Sequence, residues 1–163
     1  MERSHPPIAE SQFVLEAQRM PATVVDASGS EREGVFFLRS GGTPARVESL
    51  FDLLNDPAKP FLPFATDDGI EFVAVDNVVA VGFRLPEAEA SFLDEIGAGR
   101  TALEIEVLTG RTLAGVLVHE APATARRPSD VLNFLPTRFL MLLAEDRAYA
   151  VRRGAILRVW PRE

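Results

Sequence analysis

Phe72-Val73-Ala74-Val75-Asp76-Asn77-Val78-Val79-Ala80-Val81 and Ala150-Val151-Arg152-Arg153-Gly154-Ala155-Ile156-Leu157-Arg158-Val159 are two apolar runs, each interrupted once. Asp76-Asn77 and Arg153-Gly154 are too short to form a loop. Each run is therefore read as two strands meeting at a sharp bend or a one-turn helix, the corner of a small barrel. The shared interruption also raises the question of an internal repeat, which has to be sought before elements are assigned.

Working outward, further blocks align in the same order. Ala9-Glu10-Ser11-Gln12-Phe13-Val14-Leu15-Glu16 lies on Ala88-Glu89-Ala90-Ser91-Phe92-Leu93-Asp94-Glu95, and Thr23-Val24-Val25 on the run Leu103 to Val107. Gly34-Val35-Phe36-Phe37-Leu38 lies on Gly115-Val116-Leu117-Val118-His119. Arg46-Val47-Glu48-Ser49-Leu50-Phe51-Asp52 meets Arg127-Pro128-Ser129-Asp130-Val131-Leu132-Asn133, and Phe61-Leu62-Pro63-Phe64 meets Phe139-Leu140-Met141-Leu142. Six blocks in one order imply a tandem duplication with its boundary at Arg84-Leu85-Pro86. Residues 1–8 then form a disordered tail, 9–85 a first unit and 86–163 a second. A unit of this size buries only roughly 60 % of its unfolded surface, so two units gain by sharing a core.

Each unit opens with a short amphipathic segment, 9–18 or 87–96. Pro86 and Gly97 punctuate the second as a helix, whereas Phe13-Val14-Leu15 allows a strand in the first. Strands are expected at 22–27 and 34–39, and at 103–108 and 112–119. Leu103, Ile105 and Val107 alternate with Glu104 and Glu106, the period of a half-buried strand, and Thr109-Gly110-Arg111 supplies a tight turn. A helical turn follows: Val47, Leu50, Phe51 and Leu54 recur at helical spacing, and Pro128-Ser129-Asp130 starts the second turn before Pro136 stops it. Three strands close each unit, at 61–66, 70–75 and 77–82, and at 138–144, 147–152 and 154–160. The apolar groups Phe51-Leu53-Leu54 and Phe61-Leu62-Pro63-Phe64 read first as packing surface between the units, then as a surface for a partner or for self-association.

The second unit resembles the Sm-like family, the barrel of Sm, LSm and Hfq proteins. The resemblance is carried by the hairpin Leu108 to Leu117 with its glycine turn, by Asp130 and Asn133, and by Arg153-Gly154 before Ala155-Ile156-Leu157. It covers about 50 residues of the second unit and reaches the first through the repeat. It implies a mainly β chain with short helices: two tandem five-stranded Sm-like small barrels packed as a pseudo-dimer. The fold is carried across and the RNA-binding activity is not. Asp130 and Asn133 stand closer than the family's pair, Phe134-Leu135-Pro136 interrupts the next strand, and the first unit has Asp76-Asn77 in place of Arg-Gly.

Net charge is −7, against a general affinity for nucleic acid or anionic membrane. Residues 1–86 carry 7 basic and 13 acidic side chains, and residues 87–163 carry 10 and 11, so any anion site belongs to the second unit. There Arg126, Arg127, Arg152 and Arg153, with Asp130 and Asn133, are the candidate anion or partner site. The competing expectation is that these guanidiniums pair with the protein's own acids. No cysteine is present, and His5 and His119 give no zinc spacing, so no metal or cofactor is expected. The acid pairs Asp67-Asp68 and Glu145-Asp146 fall at hairpin tips and read as solvated. Hydrophobic content of 47 %, no membrane-length apolar run and no signal-peptide core indicate a cytoplasmic protein. The sequence points to a non-catalytic binding or adaptor module with a protein partner or a second copy of itself. Anion or nucleic-acid recognition through the second unit's arginines is the alternative, and an enzyme with an unrecognised site the second.

Overall fold

The computed structural model describes residues 17–41, 46–47, 49–122, 124–125 and 127–162. The expected tail and most of the first amphipathic segment lie outside these. Residues 17 and 18 already belong to strand β1, so the end of that segment is extended, not helical.

The first half carries β1 (Ala17–Asp26), β2 (Glu31–Gly41), the two-residue β3 (Arg46–Val47), α1 (Leu50–Leu54), β4 (Phe61–Thr66), β5 (Gly69–Ala74), a one-turn 3-10 helix (Val75–Asn77) and β6 (Val78–Phe83). The second carries α2 (Glu87–Glu95), β7 (Gly99–Val107), β8 (Thr112–His119), α3 (Pro128–Phe134), β9 (Phe139–Leu143), β10 (Ala148–Arg152), a second 3-10 turn (Arg153–Ala155) and β11 (Ile156–Pro161). Asp76-Asn77 and Arg153-Gly154 thus sit in one-turn helices, as their brevity requires. Gly110 and Gly29, both at φ +88°, close the β7–β8 and β1–β2 hairpins. In the β1–β2 turn, Asp26 Oδ1 accepts the Ser28 and Ser30 amides at 2.9 and 3.3 Å.

The strands form one continuous antiparallel sheet in the order β11-β7-β8-β9-β10-β6-β1-β2-β4-β5, with β3 alongside β2, and the sheet does not close. The two halves pair their strands alike. Ala22 stands opposite Phe83 and Leu103 opposite Pro161; Val35 opposite Ala65 and Val116 opposite Leu143; Phe61 opposite Ala74 and Phe139 opposite Arg152. Even the register shift recurs, between Val25 and Asp26 on β1 and between Ile156 and Arg158 on β11. Gly34 and Gly115 explain the sharp crossing from each hairpin to the next strand. A side chain at Gly34 would strike the Ala65 carbonyl and the Phe64 ring, and one at Gly115 the Leu143 carbonyl.

The halves join where β6 pairs with β10, over Ala148↔Phe83 to Val151↔Ala80. All six residues of β6 are buried. Its Val81 and Phe83 enter a core with Phe36, Leu50, Phe64 and the second half's Phe139, Ala148 and Ala150. Its Val79 and Ala80 enter the other core, with Ile105, Leu117, Leu142 and Val151. Leu53, Leu54, Leu62 and Phe64 are therefore buried in a core to which both halves contribute, leaving Phe61 exposed on the outer face of β4. Polar bonds reinforce the junction. Arg138 Nε donates to the Leu54 carbonyl at 2.9 Å and Nη2 to that of Asp56 at 2.7 Å, with Lys59 at 3.3 Å. Asn55 Oδ1 accepts the Phe139 amide at 2.8 Å.

Three outcomes follow for urea denaturation. Gly34→Ala and Gly115→Ala each cost about 1–3 kcal/mol, because the added methyl meets backbone that cannot step aside. Gly154→Ala meets only the movable end of Arg152 and stays within about 0.5 kcal/mol. Arg138→Met keeps the stem, strips the donors from the three carbonyls and costs about 2–3 kcal/mol.

Candidate functional site

The arginines come first, as the polar feature singled out by the sequence. Arg126 lies outside the described residues. Arg127 is the N-cap of α3: its backbone N–H donates to Asp130 Oδ2 at 3.3 Å and its Nε to the same oxygen at 3.2 Å. These bonds from Arg127 hold the Asp130 carboxyl below its ordinary range. Arg152 Nε donates to the Val78 carbonyl at 2.6 Å, across the junction between the halves. Arg153 donates through Nη1 to the Leu135 carbonyl at the end of α3. Asn133 is exposed on α3. Of the three described arginines, one pairs with an acid and two bond backbone carbonyls. Carbonyls at a helix end or a strand bend have no partner in the regular ladder, and a long guanidinium supplies the missing donor.

A concavity lies elsewhere, where the helices of the two halves face each other. A cavity of about 920 Å³ opens between α1, α2, the end of α3 and the strands β1, β2, β8 and β9. Its walls are apolar: Met20, Leu38, Phe51, Phe92, Leu140 and Met141. Asp52, Glu89 and Glu120 add carboxylates, and the described lining residues include no lysine or arginine. The volume is that of a small-molecule or side-chain pocket.

Helix α2 forms one wall and is loosely seated. Proline at its N-cap and Gly97 at φ +68° fix its ends, as Pro86 and Gly97 led the sequence to predict. None of its residues is buried, and Phe92 is half-exposed over the cavity. An exposed ion pair, Arg100 Nη2 to Asp94 Oδ1 at 2.9 Å, ties its last turn to β7. Such a contact contributes little, so α2 belongs to the less stable part of the fold.

Two titratable groups in the lining are perturbed. Partial burial, and secondarily the charge of Asp52, push Glu89 above the usual carboxyl range. Burial pushes His119 below the usual imidazole range. Both nitrogens of His119 are engaged. Nδ1 accepts the Ala121 amide at 3.3 Å, which leaves Nε2 as the protonated nitrogen, facing Thr101 Oγ1 at 3.0 Å. Its ring occupies the space left by the missing side chain of Gly99. His119 is thus a neutral, bonded wall of the cavity. Among the described residues, no three His, Asp or Glu side chains cluster as a metal site would require, and no helix is long and apolar enough to cross a membrane. Asp67-Asp68 and Glu145-Asp146 sit at the β4–β5 and β9–β10 turns.

Sequence reading missed this cavity because its lining is scattered over seven elements. The one available signal was the amphipathic 87–96 segment, whose apolar face needs a partner.

The perturbed groups carry opposite signs for stability. The folded chain holds the Glu89 proton more tightly than the unfolded chain does. Stability is therefore lost as pH rises from the ordinary glutamate value through the raised one, and Glu89→Gln stabilises the protein at neutral pH but not in acid. The folded chain holds the His119 proton less tightly, so that contribution is present above the ordinary histidine value and is lost as pH falls through the depressed one. Thermal melts of wild type, Glu89→Gln and His119→Gln between pH 4 and pH 8 check both signs. No family model, curated protein or solved structure matches the chain, so the functional reading rests on this geometry alone.

Proposed function

We propose that the protein is a non-catalytic binding module of two tandem Sm-like small barrels, and that the cavity under α2 receives an apolar segment of a protein partner bearing a basic residue. Support for the duplicated unit comes from the matching strand registers, the matching register shift and the paired glycines Gly34 and Gly115. The observation that carries the binding role is the cavity itself: among its described lining residues the walls are apolar, three side chains are carboxylates and none is a lysine or arginine.

Such a lining favours an apolar body, whose burial is worth roughly 25 cal/mol per Å², over a fully polar ligand. The carboxylates then select among apolar ligands, attracting a cation and repelling an anion. Arg152 and Arg153 hold backbone carbonyls and Arg127 holds Asp130, which leaves the acidic, apolar pocket as the better-supported site. The lack of cysteine and the hydrophobic balance support a cytoplasmic setting.

Matched short-chain probes test the reading by isothermal titration below their micelle concentrations. Octylammonium is expected to bind at least about tenfold more tightly than octyl sulfate, the difference that about 1.4 kcal/mol of charge discrimination supplies. Phe92→Ser removes one apolar wall from a half-exposed position and lowers octylammonium affinity several-fold while leaving the melting temperature nearly unchanged. Equal affinity for the two probes, or indifference to Phe92→Ser, would overturn the reading.

A further inference from the structure

At one end of the junction the last paired residues of β10 and β6 are Ala148 and Phe83. One step further stand Arg147 and Arg84, set opposite each other and both exposed. Like charges placed directly across two strands repel. Among the described residues neither guanidinium pairs with a carboxylate, in a chain of net charge −7 whose Arg32, Arg100, Arg111, Arg127 and Arg158 all do. We propose that Arg84 and Arg147 clamp the phosphoryl group of a small phosphate ester beside Tyr149.

Gly82 shapes the place. It lies between Thr23 on β1 and Tyr149 on β10. A Cβ on Gly82 would stand 3.1 Å from Arg147 Nη1 and 3.1 Å from Tyr149 Cε1. The guanidinium thus lies over the notch left by the missing side chain, against the edge of the phenol ring. Residues two apart on a strand share a face, so Arg84 stands on the side of Gly82 and Arg147 on that of Tyr149. Arg111 Cζ is 6.0 Å from the centre of the Tyr149 ring, and Glu31 holds Arg111 at 3.1 Å. That ion pair neutralises Arg111 and leaves the charge of Arg84 and Arg147 uncompensated. Glu33 lies across Thr23, and Asp146 directly precedes Arg147, but neither forms an ion pair with the two arginines.

Two guanidiniums set the chemistry of the ligand. Each donates from a fixed plane and prefers a partner that takes two bonds at once. A carboxylate has two oxygens and one charge, enough for one of them. A phosphate monoester has three terminal oxygens and close to two negative charges, enough for both. The half-buried Tyr149 ring offers the organic part of the ester an apolar surface. A polynucleotide fits less well, since a net charge of −7 opposes a run of phosphates. Arg84 comes from the first half and Arg147 from the second, so the clamp exists only where the halves join. None of these residues lines the cavity under α2, and the inference does not depend on the reading of that cavity.

Tyr149 is the only tyrosine, so 3-fluorotyrosine gives the full chain a single fluorine resonance beside the clamp. Methyl phosphate at about pH 8, where it carries nearly two charges, is expected to shift that resonance saturably. Acetate is expected to bind about tenfold more weakly or worse, having one charge and two oxygens. Chloride at equal ionic strength is expected to leave the resonance in place. Arg84→Gln and Arg147→Gln are each expected to weaken methyl phosphate about tenfold or more, through the loss of one charge-assisted donor pair. Arg158→Gln, an exposed arginine far along the sheet, leaves the affinity unchanged. Thermal melts separate a clamp from a structural arginine. Without ligand, Arg84→Gln is expected to raise the melting temperature, because it relieves the repulsion across the strands. Methyl phosphate then stabilises wild type and not the variant. A shift that chloride reproduces, acetate that binds as tightly as methyl phosphate, or glutamine variants that bind like wild type would each refute the clamp. So would a lower melting temperature for Arg84→Gln, the mark of a structural role.

Discussion

The structure depends on the pairing of β6 with β10, because these two strands are the point at which neither half has a solvent face. An antiparallel sheet ordinarily covers one face and wets the other, and its strands alternate accordingly. Strand β6 does not alternate: Val78 to Phe83 are buried throughout. That pattern is stable only if both faces meet apolar partners. They do, since Val81 and Phe83 turn to one core and Val79 and Ala80 to the other. A half of this size standing alone would leave one of those faces wet. The junction turns two marginal hydrophobic cores into parts of one cooperative unit.

The same junction dictates where the long cations go. Bringing α1, the turn after it and β9 together buries backbone carbonyls that no ladder reaches, and each needs a donor. Arg138 serves the carbonyls of Leu54, Asp56 and Lys59, and Arg152 that of Val78. Lysine would fit poorly here, because a guanidinium presents several donors in a fixed plane whereas an ammonium is a point charge. The exposed pairs Arg32–Glu71 and Arg158–Glu106 are of another kind, salt-screened and of small net value.

What the sequence disclosed was what local rules govern. The corners at Asp76-Asn77 and Arg153-Gly154, the turn at Gly110 and the helix between Pro86 and Gly97 each follow from a few neighbouring residues, and each stands where it was expected. The strands at 61–66 and 112–119 also stand at their expected bounds, while the ends of the others were displaced by a residue or more. β1 begins at Ala17, in a stretch read as amphipathic helix or strand, because pairing with β2 out to Arg39 overrides local preference. The β6–β10 contact was legible only as a possibility, since edge pairing is set by which apolar faces are left over. The arginine pairs drew attention as a cluster of charge; Arg127 does pair with an acid, but the partners of Arg152 and Arg153 are carbonyls, and a carbonyl leaves no mark in a sequence. Arg138 went unnoticed for the same reason. The cavity escaped because its walls come from both halves and its acids from α1, α2 and the end of β8.

Where the two halves meet the same environment they keep the same residue, and where they meet different ones they diverge. Gly34 and Gly115 face the same backbone crossing, and both are glycine. Ala148 and Ala150 lie inside the junction, where small side chains let β10 sit against the first core beside Phe139. Their counterparts Ile70 and Phe72 lie on an open edge and are large. Solvent alone gives no reason for that enlargement, since an exposed edge strand is most safely polar.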